Sequence, residues 1–186
     1  MNRPRIAVMG TFDTKAEEYQ YIIDRIGQLG ADVLTIDVST RDTAVLRGEY
    51  GCREIAQYAG STYELLTSGT RAESMAIIME GATKLVRQLL QEGRIQGLVS
   101  IGGSGGTTLA THVMRALPIG FPKVIATTQA CSDKLPGFIS GKDIIVINSV
   151  VDVSGLNSII SHVYDEAAGA VVGAALAYTP HPADKP

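Results

Sequence analysis

The 186-residue chain is 45% hydrophobic and 19% charged, with a formal net charge of −3. That composition supports a buried core, excludes intrinsic disorder for the bulk of the chain, and suits one domain or two very small ones. With 16 Lys and Arg against 19 Asp and Glu and only 5% aromatic residues, it lacks both the basic cluster for duplex binding and the stacking platforms for bases.

Ile6-Ala7-Val8-Met9, stopped by Gly10, reads as a strand buried on both faces. It is too short for a signal-peptide core, and the apolar stretch 167–178 falls short of the ~20 residues of a spanning helix. Cys52 and Cys131 cannot build a disulfide framework and suggest a reducing compartment. The expectation is a cytoplasmic, soluble chain with no membrane partner.

Residues 16–29 place Tyr19, Ile22, Ile23, Ile26 and Leu29 at helical spacing, with Thr14 and Glu17 in capping-box positions and Gly30 closing the helix. Val33 to Ile36 is a second strand, ending at Asp37. A short helix is expected over 53–58, and 61–68 reads as loop or a second short helix. A long helix follows over 71–91 with Met75, Ile78, Met79, Leu85, Val86, Leu89 and Leu90 inward. Residues 97–101 form the third strand, and a glycine-rich loop leads into a helix from about Thr107 to Ala116, ended by Pro118. The fourth and fifth strands are 123–127 and 144–147, and the last helix runs over 154–178. Alternating strands and helices predict an α/β fold, a doubly wound, mainly parallel sheet of Rossmann- or flavodoxin-like three-layer αβα type. Residues 1–178 are read as a single domain. The tail 179–186, with three prolines, reads either as a frayed terminus or as a linker to an absent second domain.

The strongest local signal is Gly102-Gly103-Ser104-Gly105-Gly106-Thr107. Between a strand and a helix, free backbone N–H groups and the positive end of the helix dipole attract anions. Glycines allow close approach, and Ser104, Thr107 and Thr108 add hydroxyls; the alternative is a bare strand–helix turn. No Lys follows the last glycine, so this is not the triphosphate P-loop, and the spacing differs from GxGxxG. The first βα loop, Gly10-Thr11-Phe12-Asp13-Thr14-Lys15, offers a metal-ligating carboxylate and a phosphate-directed ammonium. With strand order 2-1-3-4-5 the two loops would face each other across the crevice between strands 1 and 3. Asp37 stands where an acid meets a ribose hydroxyl in nucleotide-binding folds, although Asp also caps strands and turns.

After the fourth strand, Asp133 is a candidate metal or hydrogen-bonding group, whereas Cys131 has no His nearby in sequence and reads as inert. Asp152 or Ser154 is expected to cap the last helix, with Asp152 also a candidate to reach across the crevice. His112 and His162 read as ordinary helix residues, and the Cys and His spacings give no zinc pattern. Small residues at 167–170 and 173–175 allow close packing, either within the chain or at a dimer seam.

The segments Ile6 to Lys15, Ser100 to Thr108, Ala116 to Val124 and Val151 to Asn157 together resemble an uncharacterised family. It includes the N-terminal region of the tomato mosaic virus resistance protein, an inhibitor of viral RNA replication. The resemblance covers residues 3–178. It implies an ATP-binding, Rossmann-like first half followed by a second α/β half, ATP and Mg²⁺ as ligands, and a homodimer. It supplies no reaction. Ala130-Cys131-Ser132-Asp133 departs from the family's small-Ser-Gly-Asp pattern, where a glycine-only conformation would not suit Ser132.

The reading is therefore a nucleotide-binding domain with no nucleic-acid partner. Its phosphates lie on 102–107 with Gly10, Thr11 and Lys15 assisting, Asp13 or Asp133 holds Mg²⁺, and Asp37 reads the ribose. Two alternatives stay open. One is a hydrolase or phosphotransferase on a small phosphorylated metabolite, completed by a missing second domain. The other is a protein-interaction domain.

Overall fold

A computed structural model describes residues 3–178, so the tail 179–186 lies outside the described residues. Five parallel strands, β1 (Arg5–Gly10), β2 (Asp32–Asp37), β3 (Gly97–Gly102), β4 (Lys123–Thr127) and β5 (Ile145–Asn148), form one sheet in the order β2-β1-β3-β4-β5. The doubly wound α/β fold and its strand order agree with the expectation. Among the described residues seven helices connect and cover the strands: α1 (Ala16–Gln28), α2 (Cys52–Tyr58), α3 (Tyr63–Ser68), α4 (Arg71–Gln91), α5 (Ser104–Arg115), α6 (Leu135–Ile139) and α7 (Ser158–Ala177).

Both faces of the sheet are buried, which is why the inner strands are continuous apolar runs rather than alternating ones. Ala7, Met9, Leu98 and Ile125 pack beneath α2, α4 and α5, while Ile6, Val8, Val99, Ile101, Val124 and Ala126 pack beneath α1 and α7. Ala167, Ala168 and Ala175 of α7 are buried in the second layer, whereas Gly169 and Gly173 face outward. The small residues therefore serve intramolecular packing on one side of the helix and leave a narrow exposed strip on the other.

Three helix starts differ from the sequence reading. α1 begins without a side-chain cap. The Thr14 hydroxyl is drawn back into the preceding turn, donating to Thr11 O at 3.4 Å, so the expected capping box with Glu17 does not form. α7 begins after Asn157, whose Oδ1 accepts from the amides of Ile159 and Ile160, both at 3.0 Å. Neither Asp152 nor Ser154 caps it, because the loop is held away from the helix. The Gly155 amide donates to Glu18 Oε1 at 2.7 Å, and Lys15 Nζ donates to Val153 O. α5 starts at Ser104 rather than Thr107, so Ser104–Thr107 is a first helical turn and not a loop. Two glycines weaken helix propensity, but Thr107 N donates to Gly103 O at 2.8 Å and Thr107 Oγ1 lies 2.6 Å from Thr127 Oγ1 on β4. The turn also sits directly on the end of β3, where a Cβ on Gly102 would lie 3.1 Å from Gly106 Cα.

Candidate functional site

The functional candidates converge where β1 and β3 part. The two strands are in register only from Ile6–Gly97 to Val8–Val99, while β1 stays paired with β2 through Gly10–Asp37. Beyond Val8 and Val99 the opening is plugged from below by Tyr19 of α1. Its hydroxyl donates to Ile101 O at 2.6 Å and accepts from Ile101 N at 3.2 Å, taking the place of a neighbouring strand. Gly10 makes this possible, since a Cβ there would fall 1.8 Å from the ring of Tyr19. Burial pushes the Tyr19 phenol up to about 12, with the hydrogen bonds from Ser100 and Ile101 only partly opposing it.

Above the plug lies a cleft of about 450 Å³, at the carboxyl edge of the sheet and at the point where strand order reverses, as ligand sites do in such sheets. One wall is the β1–α1 loop, with Gly10, Thr11, Asp13 and Thr14. A second is the segment Val38, Ser39, Thr40 and Arg41 after β2. The far wall comes from the α3–α4 corner, with Leu66, Thr67, Gly69, Arg71, Ser74 and Met75. Ser100, Gly105, Gly106 and Leu109 complete it.

Helix starts around the site are not equivalent. α3 and α4 are capped by the side chains of Thr62 and Thr70, and Glu73 closes a full capping box on α4. α5 has Gly103 as its N-cap, no side-chain acceptor and no acid in its first turn. Its opening amides therefore remain available to an anion in the cleft. A Cβ on Gly105 would meet nothing within 4 Å, so this residue needs no special conformation and borders open space.

Of the residues anticipated from sequence, Gly10, Thr11, Asp13, Gly105 and Gly106 line the cleft. Gly102, Gly103, Ser104 and Thr108 lie at the start of α5 without lining it; Gly102 is buried and the Thr108 hydroxyl donates back to Ser104 O. Thr107 is fully buried between α5 and β4 and cannot reach a ligand. Lys15 turns to the opposite side, onto Val153 O. Asp133 is exposed beyond β4 and Asp152 is exposed after β5, and neither borders the cleft. Ser132 takes no left-handed backbone, and its hydroxyl donates to Gln129 O at 2.9 Å, so the departure at 130–133 costs no strain.

Asp37 is 5% exposed and holds two loops together. Its Oδ1 accepts from Phe12 N at 3.1 Å, from Ser39 N at 3.0 Å and from the Ser39 hydroxyl, which in turn accepts from Asp13 N at 3.2 Å. Burial raises its pKa against the pull of the Ser39 and Phe12 hydrogen bonds. The carboxylate placed by sequence at a ribose is thus a brace beneath the β1–α1 loop. Among the described residues no group of three or more His, Cys, Asp or Glu side chains converges on a metal position. Cys131 is exposed, and Cys52 is buried with its thiol pushed up to about 11 by desolvation.

Sequence reasoning missed Arg41, Arg71, Ser39 and the α3–α4 corner. A signal was present in each arginine. Arg41 follows β2 at the same sheet edge as the loops that were considered, and Arg71 places a positive charge at the first position of a helix, where the dipole favours an acid.

The uncharacterised protein family (UPF0261) N-terminal domain matches residues 4–180. A UPF0261 protein of Clostridium tetani is 41% identical over 174 residues, covering 93% of this chain and 43% of that protein. The ToMV resistance protein Tm-1(GCR237) of Solanum lycopersicum is 28% identical over 192 residues, covering 92% of this chain and 25% of that one. The chain therefore spans less than half the length of the curated relatives it matches. Among solved structures, a diflavin flavoprotein A3 from Nostoc sp. aligns over 95% of this chain and 96% of that chain, at 13% identity and a TM-score of 0.48. No helix among the described residues is long and apolar enough to cross a membrane.

Proposed function

On the premise that the chain belongs to the UPF0261 family, we propose that it is a nucleotide-binding domain that takes ATP in the cleft between the β1–α1 loop and the start of α5. The observation that carries this reading is the uncapped first turn of α5, opening onto a cleft of about 450 Å³ at the switch point of the sheet. Amides at Gly105 and Gly106 supply donors for a phosphate, and the Thr11 and Thr14 side chains on the facing loop add hydroxyls. Leu66, Met75 and Leu109 supply an apolar wall for the base. Mg²⁺ fits as an ion carried in by the phosphates, because magnesium keeps its waters and needs only one or two protein carboxylates. Asp13 is the carboxylate positioned for that role, since Asp133 lies away from the cleft.

The test is thermal unfolding with and without ATP and Mg²⁺. At 100-fold above the dissociation constant, linkage gives about 2.7 kcal/mol of stabilisation. For a chain of this size that is a rise in Tm of roughly 5–11 °C. Gly105→Val places a branched side chain in the open space of the cleft and should abolish the shift, while Cys131→Ala should keep it. Circular dichroism of the unliganded variants checks their fold. Equal responses in wild type and folded Gly105→Val would overturn the proposed phosphate position.

A further inference from the structure

The cleft holds two cations that no described residue neutralises. Six of the ten arginines, Arg3, Arg5, Arg25, Arg47, Arg53 and Arg94, sit within ion-pair reach of carboxylates. Arg115 donates to Gly137 O. The side chains of Arg41, Arg71 and Arg87 make no ion pair or hydrogen bond among the described residues, and Arg41 and Arg71 both line the cleft. They arrive from different elements, the segment after β2 and the first residue of α4. Among the described residues, Asp13 is the one acid along its lining.

Arg71 also breaks a local rule. α4 is a 21-residue helix with a complete Thr70–Glu73 capping box, and a cation at its first position works against the helix dipole. A residue that opposes local preference without a local partner marks a position held for something else. Lys15 cannot meet a ligand here, being committed to Val153 O. The anion-reading charge in this cleft therefore resides on guanidinium groups, whose planar donors suit phosphate oxygens in pairs.

We propose that Arg41 and Arg71 are the specificity-determining residues of the cleft, gripping the outer end of a phosphate chain whose inner end lies on the α5 amides, so that the site selects ligands by phosphate number. This inference rests on the nucleotide-binding reading above. The α5 turn alone accommodates a single phosphate. The two arginines, on the walls formed by the segment after β2 and by the α3–α4 corner, add binding only when the chain is long enough to reach them from α5. The order of affinity is then ATP above ADP above AMP, with inorganic tripolyphosphate retaining part of the binding.

The experiment is titration calorimetry of ATP, ADP, AMP and tripolyphosphate into wild type, Arg41→Ala, Arg71→Ala, both Arg→Lys variants, and Arg87→Ala as an unpaired arginine away from the cleft. Each cleft Ala variant should weaken ATP roughly ten- to a hundred-fold, the range for losing hydrogen bonds to a charged group. AMP should change little, so the ATP-to-AMP ratio collapses. The Lys variants should recover part of the ATP affinity, and Arg87→Ala should match wild type. If wild type binds ATP but the Ala variants keep its ATP-to-AMP ratio, the arginine assignment is overturned while nucleotide binding stands. If wild type binds none of the four probes, both fall together.

Discussion

Removing one oxygen from Tyr19 tests the way this sheet opens. Tyr19→Phe keeps the ring in its packing against Phe12, 4.9 Å between centroids, and deletes only the hydroxyl that serves both Ile101 N and Ile101 O. Those two backbone groups would then be buried without their partner, because β1 has already diverged from β3 at that level. An unsatisfied buried backbone group costs about 1–3 kcal/mol, and the nearby Ser100 hydroxyl, 3.4 Å from the phenol oxygen, can compensate part of it. The expected loss is about 2–3 kcal/mol, or a fall in Tm of roughly 4–12 °C. Gly10→Ala attacks the same contact from the other side, since its Cβ would lie 1.8 Å from the ring and must expel it. In a thermal and urea denaturation cycle, Gly10→Ala combined with Tyr19→Ala should destabilise by less than the sum of the single changes, with a coupling of about 1–3 kcal/mol. The phenol carries a pH signature as well. Its folded pKa of about 12 lies above the ordinary 10.0, so its contribution is complete below pH 10 and lost as pH rises towards 12. The stability gap between wild type and Tyr19→Phe should narrow over that interval. A Tm within a degree of wild type for Tyr19→Phe, together with strict additivity in the cycle, would refute the plug.

Two other expectations follow from the loops and from α7. Asp37 has its pKa raised chiefly by burial, so its protonated form is the one favoured by folding, and stability falls as pH rises from 3.8 through the raised value. The cost of Asp37→Asn, which keeps an acceptor and removes the charge, should accordingly be larger near pH 4 than at pH 7 in urea titrations; a cost growing with pH would show that the anion's hydrogen bonds outweigh its desolvation. The exposed Gly169 and Gly173 with Leu176, 62% exposed, carry the proposal of a homodimer, which light scattering should report as about 40 kDa, twice the 19.7 kDa chain; a mass of one chain across a wide concentration range would reject it.

The parts of this fold legible from sequence are those governed by local periodicity. β1, β3 and β4 appear as apolar runs because both faces of the sheet are covered, and α4 was bounded to the residue because its apolar stripe runs uninterrupted between Thr70 and Glu92. The strand order then brought Gly10 and Gly105 to one crevice. What escaped depends on contacts distant in the chain. Lys15 reads as a phosphate ligand until Val153, 138 residues away, claims it. Thr107 reads as a loop hydroxyl until Thr127 draws it inside and starts the helix early. Asp37 reads as a ribose acceptor until Phe12 and Ser39 occupy its Oδ1. In each case the residue type was suited to a ligand, and the folded chain supplied a nearer partner.

The link between Glu18 and Gly155 has a kinetic meaning. It joins residues 137 apart, and a closure of that length costs more chain entropy than the short closures within the first βαβ unit. The pairing of β1 with β2 closes a short stretch of chain within residues 5–37, whereas the Glu18–Gly155 bond ties α1 to the loop that follows β5, at the other end of the sheet order. Proton exchange at the Gly155 amide therefore reports whether that long-range closure is intact. Because Lys15 and Glu18 stand at the start of α1, the loop after β5 is tied to the same helix start that Asp37 braces from the side of β2.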